Sequence, residues 1–206
     1  MYLSRVQIDD KNQYVIRELS HLGAYHNWVE QSFPREIASS ERLRHLWRID
    51  TLNKKRYLLL LSENKPDLDK LERLGVVGTA QTKSYDAFLD KILLGGKYRF
   101  KLTANPTHKD GETGKIMPHI TVEQQMEWLK RKAQNCGFKL LEYDIVNRSW
   151  LILKKKHTRQ VKLSSVTFEG ILEVTDIERF KEVLIQGIGR EKAYGMGLLT
   201  VIPIEK

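Results

Sequence analysis

Twice along its length this chain runs through the same succession of periodicities, and that recurrence limits its possible folds more than any other feature. In the first pass, residues 2–8 alternate apolar and polar, as a strand does. A stripe of Leu19, Leu22, Tyr25, Val29 and Phe33 follows at helical steps of three and four. Pro34 is expected to stop that helix, and Gly23 to kink it or mark its start. Residues 43–49 and 57–61 read as strands joined through a polar turn at 50–56. Residues 68–74 read as a short helix ended by Gly75, and residues 76–82 as a fourth strand. The order is βαββαβ.

The second pass begins after Gly95-Gly96, a glycine pair that is unfavourable inside an element and therefore reads as a linker. Residues 98–102 form a strand pattern, and Thr121 with Gln124 makes a capping box for a helix carrying Val122, Leu129, Ala133 and Cys136, which Gly137 ends. Residues 138–146 and 150–153 read as a hairpin-like pair, and residues 161–168 as a further strand. Thr175 with Glu178 is expected to cap a helix carrying Ile177, Phe180, Val183 and Leu184, with a last strand at 198–204. These patterns predict an α+β protein of two tandem ferredoxin-like (RRM-like) βαββαβ domains, residues 1–94 and 97–206, each an antiparallel sheet with helices on one face.

The 206 residues are 41% hydrophobic, enough for packed cores without crosslinks. The single cysteine, Cys136, excludes an internal disulfide framework and a thiolate metal site and fits a reducing compartment. No window approaches the roughly 18 apolar residues of a membrane-spanning helix. A soluble, cytoplasmic protein is expected.

The net charge of +9 is unevenly placed: residues 1–96 hold 15 Lys and Arg against 13 Asp and Glu, and residues 97–206 hold 20 against 13. Six cations crowd residues 148–162, namely Arg148, Lys154, Lys155, Lys156, Arg159 and Lys162, with no acid among them. Such a run points to a polyanion. Its strand-like alternation offers no helical amphipathic face for a membrane.

A glycine-rich run, Gly187-Ile-Gly189-Arg190-Glu-Lys192-Ala-Tyr-Gly195-Met-Gly197, joins the last helix pattern to the last strand. Glycines let backbone N–H groups line a concave surface suited to phosphate, and Arg190 and Lys192 suit the same partner; a tight helix-to-strand connection would also need them. The dinucleotide fingerprint G-x-G-x-x-G fails here because Lys192 stands three after Gly189, and no Walker motif occurs anywhere. No nucleotide cofactor is expected.

His21 and His26, five residues apart, face different sides of a helix. With no supporting cysteines or paired carboxylates, no metal site is expected. His26 lies about 100° around the helix from Tyr25, at the border between core and solvent, where an imidazole can titrate and remain accessible or serve simply as a boundary residue. Tyr25, on the apolar stripe, reads as packing. His45 sits in a strand-like stretch with no indicated chemistry, His108 and His119 flank the polar loop 109–115, and His157 lies within the basic run. No nucleophile elbow or Ser/His/Asp arrangement is present. One economical chemistry remains. RNA carries its own nucleophile, the 2′-OH, so one imidazole and a few cations suffice to cleave it.

The ordered motifs resemble the CasE family, the CRISPR-associated endoribonuclease of type I-E systems. The resemblance rests on Met1-Tyr-Leu-Ser-Arg-Val; on His26 seven residues before Phe33-Pro34; on Phe100-Lys-Leu-Thr-Ala-Asn105-Pro106-Thr107 with Gly114-Lys115 and Pro118-His119; on Gln125, Trp128-Leu129, Lys132-Ala133 and Gly137-Phe138; and on Phe168-Glu-Gly170 and the glycine-rich run. It spans essentially the whole chain. It implies tandem ferredoxin-like domains and metal-independent cleavage of CRISPR precursor RNA at the 3′ base of the repeat stem-loop, an antiviral-defence function. The products would carry a 2′,3′-cyclic or 3′ phosphate and a 5′-OH. The protein would keep the hairpin as a Cascade subunit and be a monomer when alone.

By the same resemblance the catalytic histidine falls on His26. A tyrosine used by some members three residues before it falls on Gly23, which leaves Tyr25 as the nearest tyrosine. The basic hairpin that binds RNA falls on Lys154, Lys155, Lys156, Arg159 and Lys162, joined by Arg190 and Lys192, and Gly187, Gly189, Gly195 and Gly197 form the signature loop near the active site. A non-catalytic subunit that binds and protects an RNA hairpin is the alternative.

Overall fold

The computed structural model describes residues 1–41, 43–153 and 161–204. They form two compact units. The first holds Met1–Asp90 and, from later in the chain, Ile152, Leu153, Val161 and the segment Lys192–Gly195; the second holds Lys91–Leu151, Lys162–Glu191 and the chain from Met196. Gly95 and Gly96 fall inside the second unit, where the Gly95 N–H donates to Val174 O at 2.9 Å and the Val174 N–H to Gly96 O at 3.0 Å.

In the first unit, strand β1 (Tyr2–Gln7) leads to helices α1 (Gln13–Glu18), α2 (Leu22–Gln31) and α3 (Pro34–Ser39). The hairpin β2 (Leu46–Leu52) and β3 (Lys55–Ser62) follows, then helix α4 (Leu68–Glu72), strand β4 (Gln81–Ser84) and the single turn α5 (Asp86–Leu89). The sheet order is β2-β3-β1-β4, with every neighbouring pair antiparallel. This is the ferredoxin-like arrangement, in which the first and third strands of the pass take the centre. Val6, Leu58 and Leu60 from the central strands join Trp28 and Val29 of α2 in one fully buried cluster. Each such side chain contributes about 1.5–3 kcal/mol of burial free energy. The Trp28 indole N–H, too polar to bury alone, donates to Leu71 O at 3.1 Å.

The His21 Nδ1 accepts from the Ala24 N–H at 3.2 Å and caps α2, so Gly23 marks the start of the helix, in its first turn, and does not kink it. Helix α2 ends at Gln31, before Pro34, and Pro34 opens α3, where its missing N–H would have had no helical partner. The β2–β3 turn is also shorter than the polar run suggested. Only Asn53 and Lys54 connect the strands, both at positive φ (50° and 62°), the type I′ geometry that matches strand twist.

The second unit runs β5 (Lys97–Ala104), a small hairpin β6 (Thr107–Lys109) and β7 (Ile116–Pro118), α6 (Val122–Asn135), most of β8 (Phe138–Leu153) and of β9 (Val161–Val174), α7 (Ile177–Gln186) and β10 (Leu199–Pro203). Its sheet order, β10-β5-β9-β8, repeats the topology of the first unit. Trp128 and Leu129 of α6, Phe180 and Leu184 of α7 and Phe100, Leu102 and Phe168 of the sheet are all buried. The Thr121–Gln124 capping box forms as expected. Residues 138–153 are one 16-residue strand, not two strands of a hairpin. Helix α7 is capped by Asp176, not Thr175: the Asp176 carboxylate accepts from the Arg179 N–H at 3.1 Å, while the Thr175 N–H is engaged by Gly137 O. No helix among the described residues is long and apolar enough to cross a membrane.

Candidate active site

Helix α2 presents two adjacent residues in opposite ways. Tyr25 is buried at 7% exposure, its ring stacked on Trp47 of β2 with centroids 5.7 Å apart. Its hydroxyl accepts a short hydrogen bond from Arg56, whose other guanidinium nitrogen pairs with Asp10 at 2.9 Å. Tyr25 is thus held by packing and a cation. His26, one residue on, keeps 38% of its side chain exposed. This is the border placement expected from a 100° step.

The glycine-rich loop brings the tip segment Lys192–Gly195 into the same unit. A 3-10 turn at Lys192–Tyr194 aims the Tyr194 ring edge-on at the His26 ring, with centroids 5.9 Å apart and planes at 61°. Trp47 anchors this tip: its indole N–H donates to Ala193 O at 3.1 Å. Gly195 lies directly against the same indole at φ +79°, where a Cβ would stand 2.6 Å from Trp47 Cζ3. No other residue fits there without moving the ring or the loop.

His26 also stands at the end of a chain of polar groups. Glu30, one turn along α2, places Oε1 3.9 Å from His26 Nδ1. The same Oε1 accepts a 2.8 Å hydrogen bond from Nδ1 of His45, a side chain only 3% exposed. His45 Nε2 lies 3.1 Å from Glu36 Oε2, an ion-pair distance, although the directions do not make a hydrogen bond. Glu36, also buried, accepts at Oε1 from Asn64 Nδ2 at 2.9 Å. Phe33 stacks flat on His45, with centroids 3.9 Å apart and planes at 7°, and so fixes the imidazole plane.

Lys154, Lys155, Lys156, His157 and Arg159 fall outside the described residues. Lys162 at the start of β9 and Arg190 are exposed on the second unit, and Lys192 is half-buried at the loop tip. Gly187 follows the last residue of α7 at φ +72°, and Gly189, at φ +85°, approaches the Trp128 ring. Gly197 is buried at φ +90°; its N–H donates to Thr103 O at 2.7 Å, and its carbonyl accepts from the Ile188 N–H at 2.9 Å, which closes the neck of the loop. His108 and His119 have ring centroids 4.7 Å apart. Among the described residues no three His, Cys, Asp or Glu converge as a metal-holding group.

Sequence reasoning did not find Tyr194, Glu30 or His45. Glu30 carried a signal, being four residues from His26 on one helix face. The others become visible only once the chain is folded.

The model of the family described as CRISPR associated protein matches residues 1–203. The chain belongs to this family. Among relatives of the CRISPR-associated family, the CRISPR-associated endoribonuclease Cse3 of Thermus thermophilus is 29% identical, with 98% of this chain and 100% of that protein aligned. The CRISPR system Cascade subunit CasE of Escherichia coli is 30% identical over 125 residues, 55% of this chain and 62% of that protein. The structure of Thermus thermophilus Cse3 bound to an RNA representing a pre-cleavage complex superimposes with a TM-score of 0.82 at 28% identity, covering 98% of each chain. The fold is therefore shared with this CRISPR-associated endoribonuclease over 98% of both chains.

Proposed function

We propose that the protein is an endoribonuclease that cuts CRISPR precursor RNA at the 3′ base of the repeat stem-loop, without a metal ion, and retains the hairpin as a Cascade subunit. The observation that carries the reading is the accessible imidazole of His26 on α2, with the Tyr194 ring beside it. The names of the Thermus and Escherichia relatives, an endoribonuclease and a Cascade subunit, support the same reaction class and partner. A cytoplasmic setting belongs to the same reading.

In the proposed reaction the 2′-oxygen bonds to the adjacent phosphorus as the bond from phosphorus to the 5′-oxygen breaks. The 2′-OH proton passes to a base and the departing 5′-oxygen takes one from an acid, with His26 serving one of these transfers. The product carries a 2′,3′-cyclic phosphate, or a 3′ phosphate once water opens it, and a 5′-OH. Nearby cations offset charge on the phosphorane-like transition state. Lys154, Lys155, Lys156, Arg159 and Lys162, with Arg190 and Lys192, are the proposed RNA-binding cations.

The test is incubation with the repeat RNA of the same genome in excess EDTA, using strands with and without a deoxy substitution at the cleavage site. A single cut with a cyclic-phosphate end, abolished by the deoxy substitution, supports the proposal. Tight binding without cleavage supports a hairpin-protecting subunit, and cleavage of the deoxy strand supports hydrolysis by water.

A further inference from the structure

We propose that Glu30, held in place by His45, is a positioning residue for His26: it accepts a hydrogen bond from His26 Nδ1–H and leaves Nε2 directed at RNA. The inference rests on the proposed role of His26. Neutral imidazole carries its proton on either nitrogen, and the hydrogen bond at one nitrogen decides which form is present and how the ring is turned.

Among the described residues, Glu30 supplies such a partner at Nδ1. Glu30 Oε1 is 3.9 Å from His26 Nδ1, beyond a hydrogen bond yet closed by about 1 Å of ring movement, and such contacts often tighten when substrate binds. Tyr194 meets the same ring edge-on at a centroid distance of 5.9 Å.

A long flexible carboxylate could not hold this position unaided. His45 holds it, because its Nδ1–H binds the same Oε1 at 2.8 Å from a buried site. The His45 ring is in turn set by its stack on Phe33 and by Glu36 at 3.1 Å from Nε2. His45 is thereby set between two carboxylates, Glu30 and Glu36. It also explains why Phe33-Pro34 stands seven residues after His26: Phe33 flanks His45, and Pro34 opens the short helix that carries Glu36.

The test combines kinetics with the state of the His26 ring, using the repeat RNA hairpin as probe. In Glu30→Ala, single-turnover cleavage at saturating RNA should fall about 10- to 100-fold, the penalty of a misplaced catalytic group, while the Kd for RNA stays within roughly threefold. Glu30→Gln, which keeps an accepting oxygen, should recover most of the loss. Nitrogen-15 NMR should show the Nδ1–H form of His26 in wild type and Glu30→Gln and a shift toward Nε2–H in Glu30→Ala.

Wild-type cleavage by Glu30→Ala overturns the proposal, as does a lost rate with an unchanged His26 signal. An Nε2–H form in the wild-type protein overturns it even if the Ala variant fails to fold. Normal cleavage by His26→Ala would instead remove His26 from the chemistry, a separate failure of the reading beneath.

Discussion

The ring of Tyr194 meets the ring of His26 edge-on, with centroids 5.9 Å apart, although the two stand 168 positions apart in the chain. The contact joins the loop tip Lys192–Gly195 to the helix bearing the candidate catalytic imidazole within one compact unit. It gives the loop a physical task, to carry an aromatic residue to the side of His26. Replacing Tyr194 by Ala is expected to slow single-turnover cleavage about tenfold by loosening the ring, and Tyr194→Phe should keep most of the rate because the contact is made by the ring edge. Equal losses in both variants would assign the effect to the hydroxyl.

Gly195 tests how tightly that loop is held. Its φ of +79° and its approach to Trp47 leave no room for a side chain. Gly195→Ala should destabilise by about 1–3 kcal/mol, roughly 2–10 °C in melting temperature for a chain of this size. It should also displace Tyr194, so cleavage should fall even where the variant remains folded. Calorimetry and single-turnover assays below the melting transition measure the two effects.

Tyr25 gives the opposite prediction. Its ring lies in the core against Trp47, and its hydroxyl accepts from Arg56. Tyr25→Phe should cost about 0.5–1.5 kcal/mol for the lost hydrogen bond, with the cleavage rate unchanged within about threefold. A rate loss of a hundredfold without a change in binding would return Tyr25 to the chemistry.

Acid should weaken the second unit through His119. Burial, then the neighbouring His108 and Arg131, hold its pKa below the ordinary value of 6.5. Both ring nitrogens are buried without a hydrogen-bond partner among the described residues. A histidine whose pKa is lower when folded binds fewer protons in the native state than in the unfolded one, so stability rises with pH across the interval between the two values. The penalty therefore appears as pH falls below 6.5 and grows down to the folded pKa. Melting temperatures at pH 5.5 and 7.5 should differ less in His119→Gln than in wild type.

The fold was legible because each pass carried two clear periods, three or four in the helices and two in the strands, and punctuation from Pro34, Gly75 and Gly137. The misread strand shows the limit. Residues 147–149, Asn-Arg-Ser, looked like a turn, but β8 lies at the edge of its sheet, where a strand tolerates polar residues on both faces. At the candidate site, His26 was marked by its step from the apolar stripe, while the i+4 position of Glu30 went unread. Tyr194 and His45 were not marked, because their meaning depends on tertiary contacts: a loop tip pinned by Trp47 and an imidazole buried behind Glu30.

The most direct measurement is single-turnover cleavage of the repeat RNA by His26→Ala in excess EDTA, with hairpin binding measured on the same sample. The reading of His26 as the catalytic imidazole predicts loss of at least about 100-fold in rate, the lower end of acid–base catalysis, with the Kd for the hairpin nearly unchanged. Cleavage by His26→Ala at the wild-type rate would contradict it.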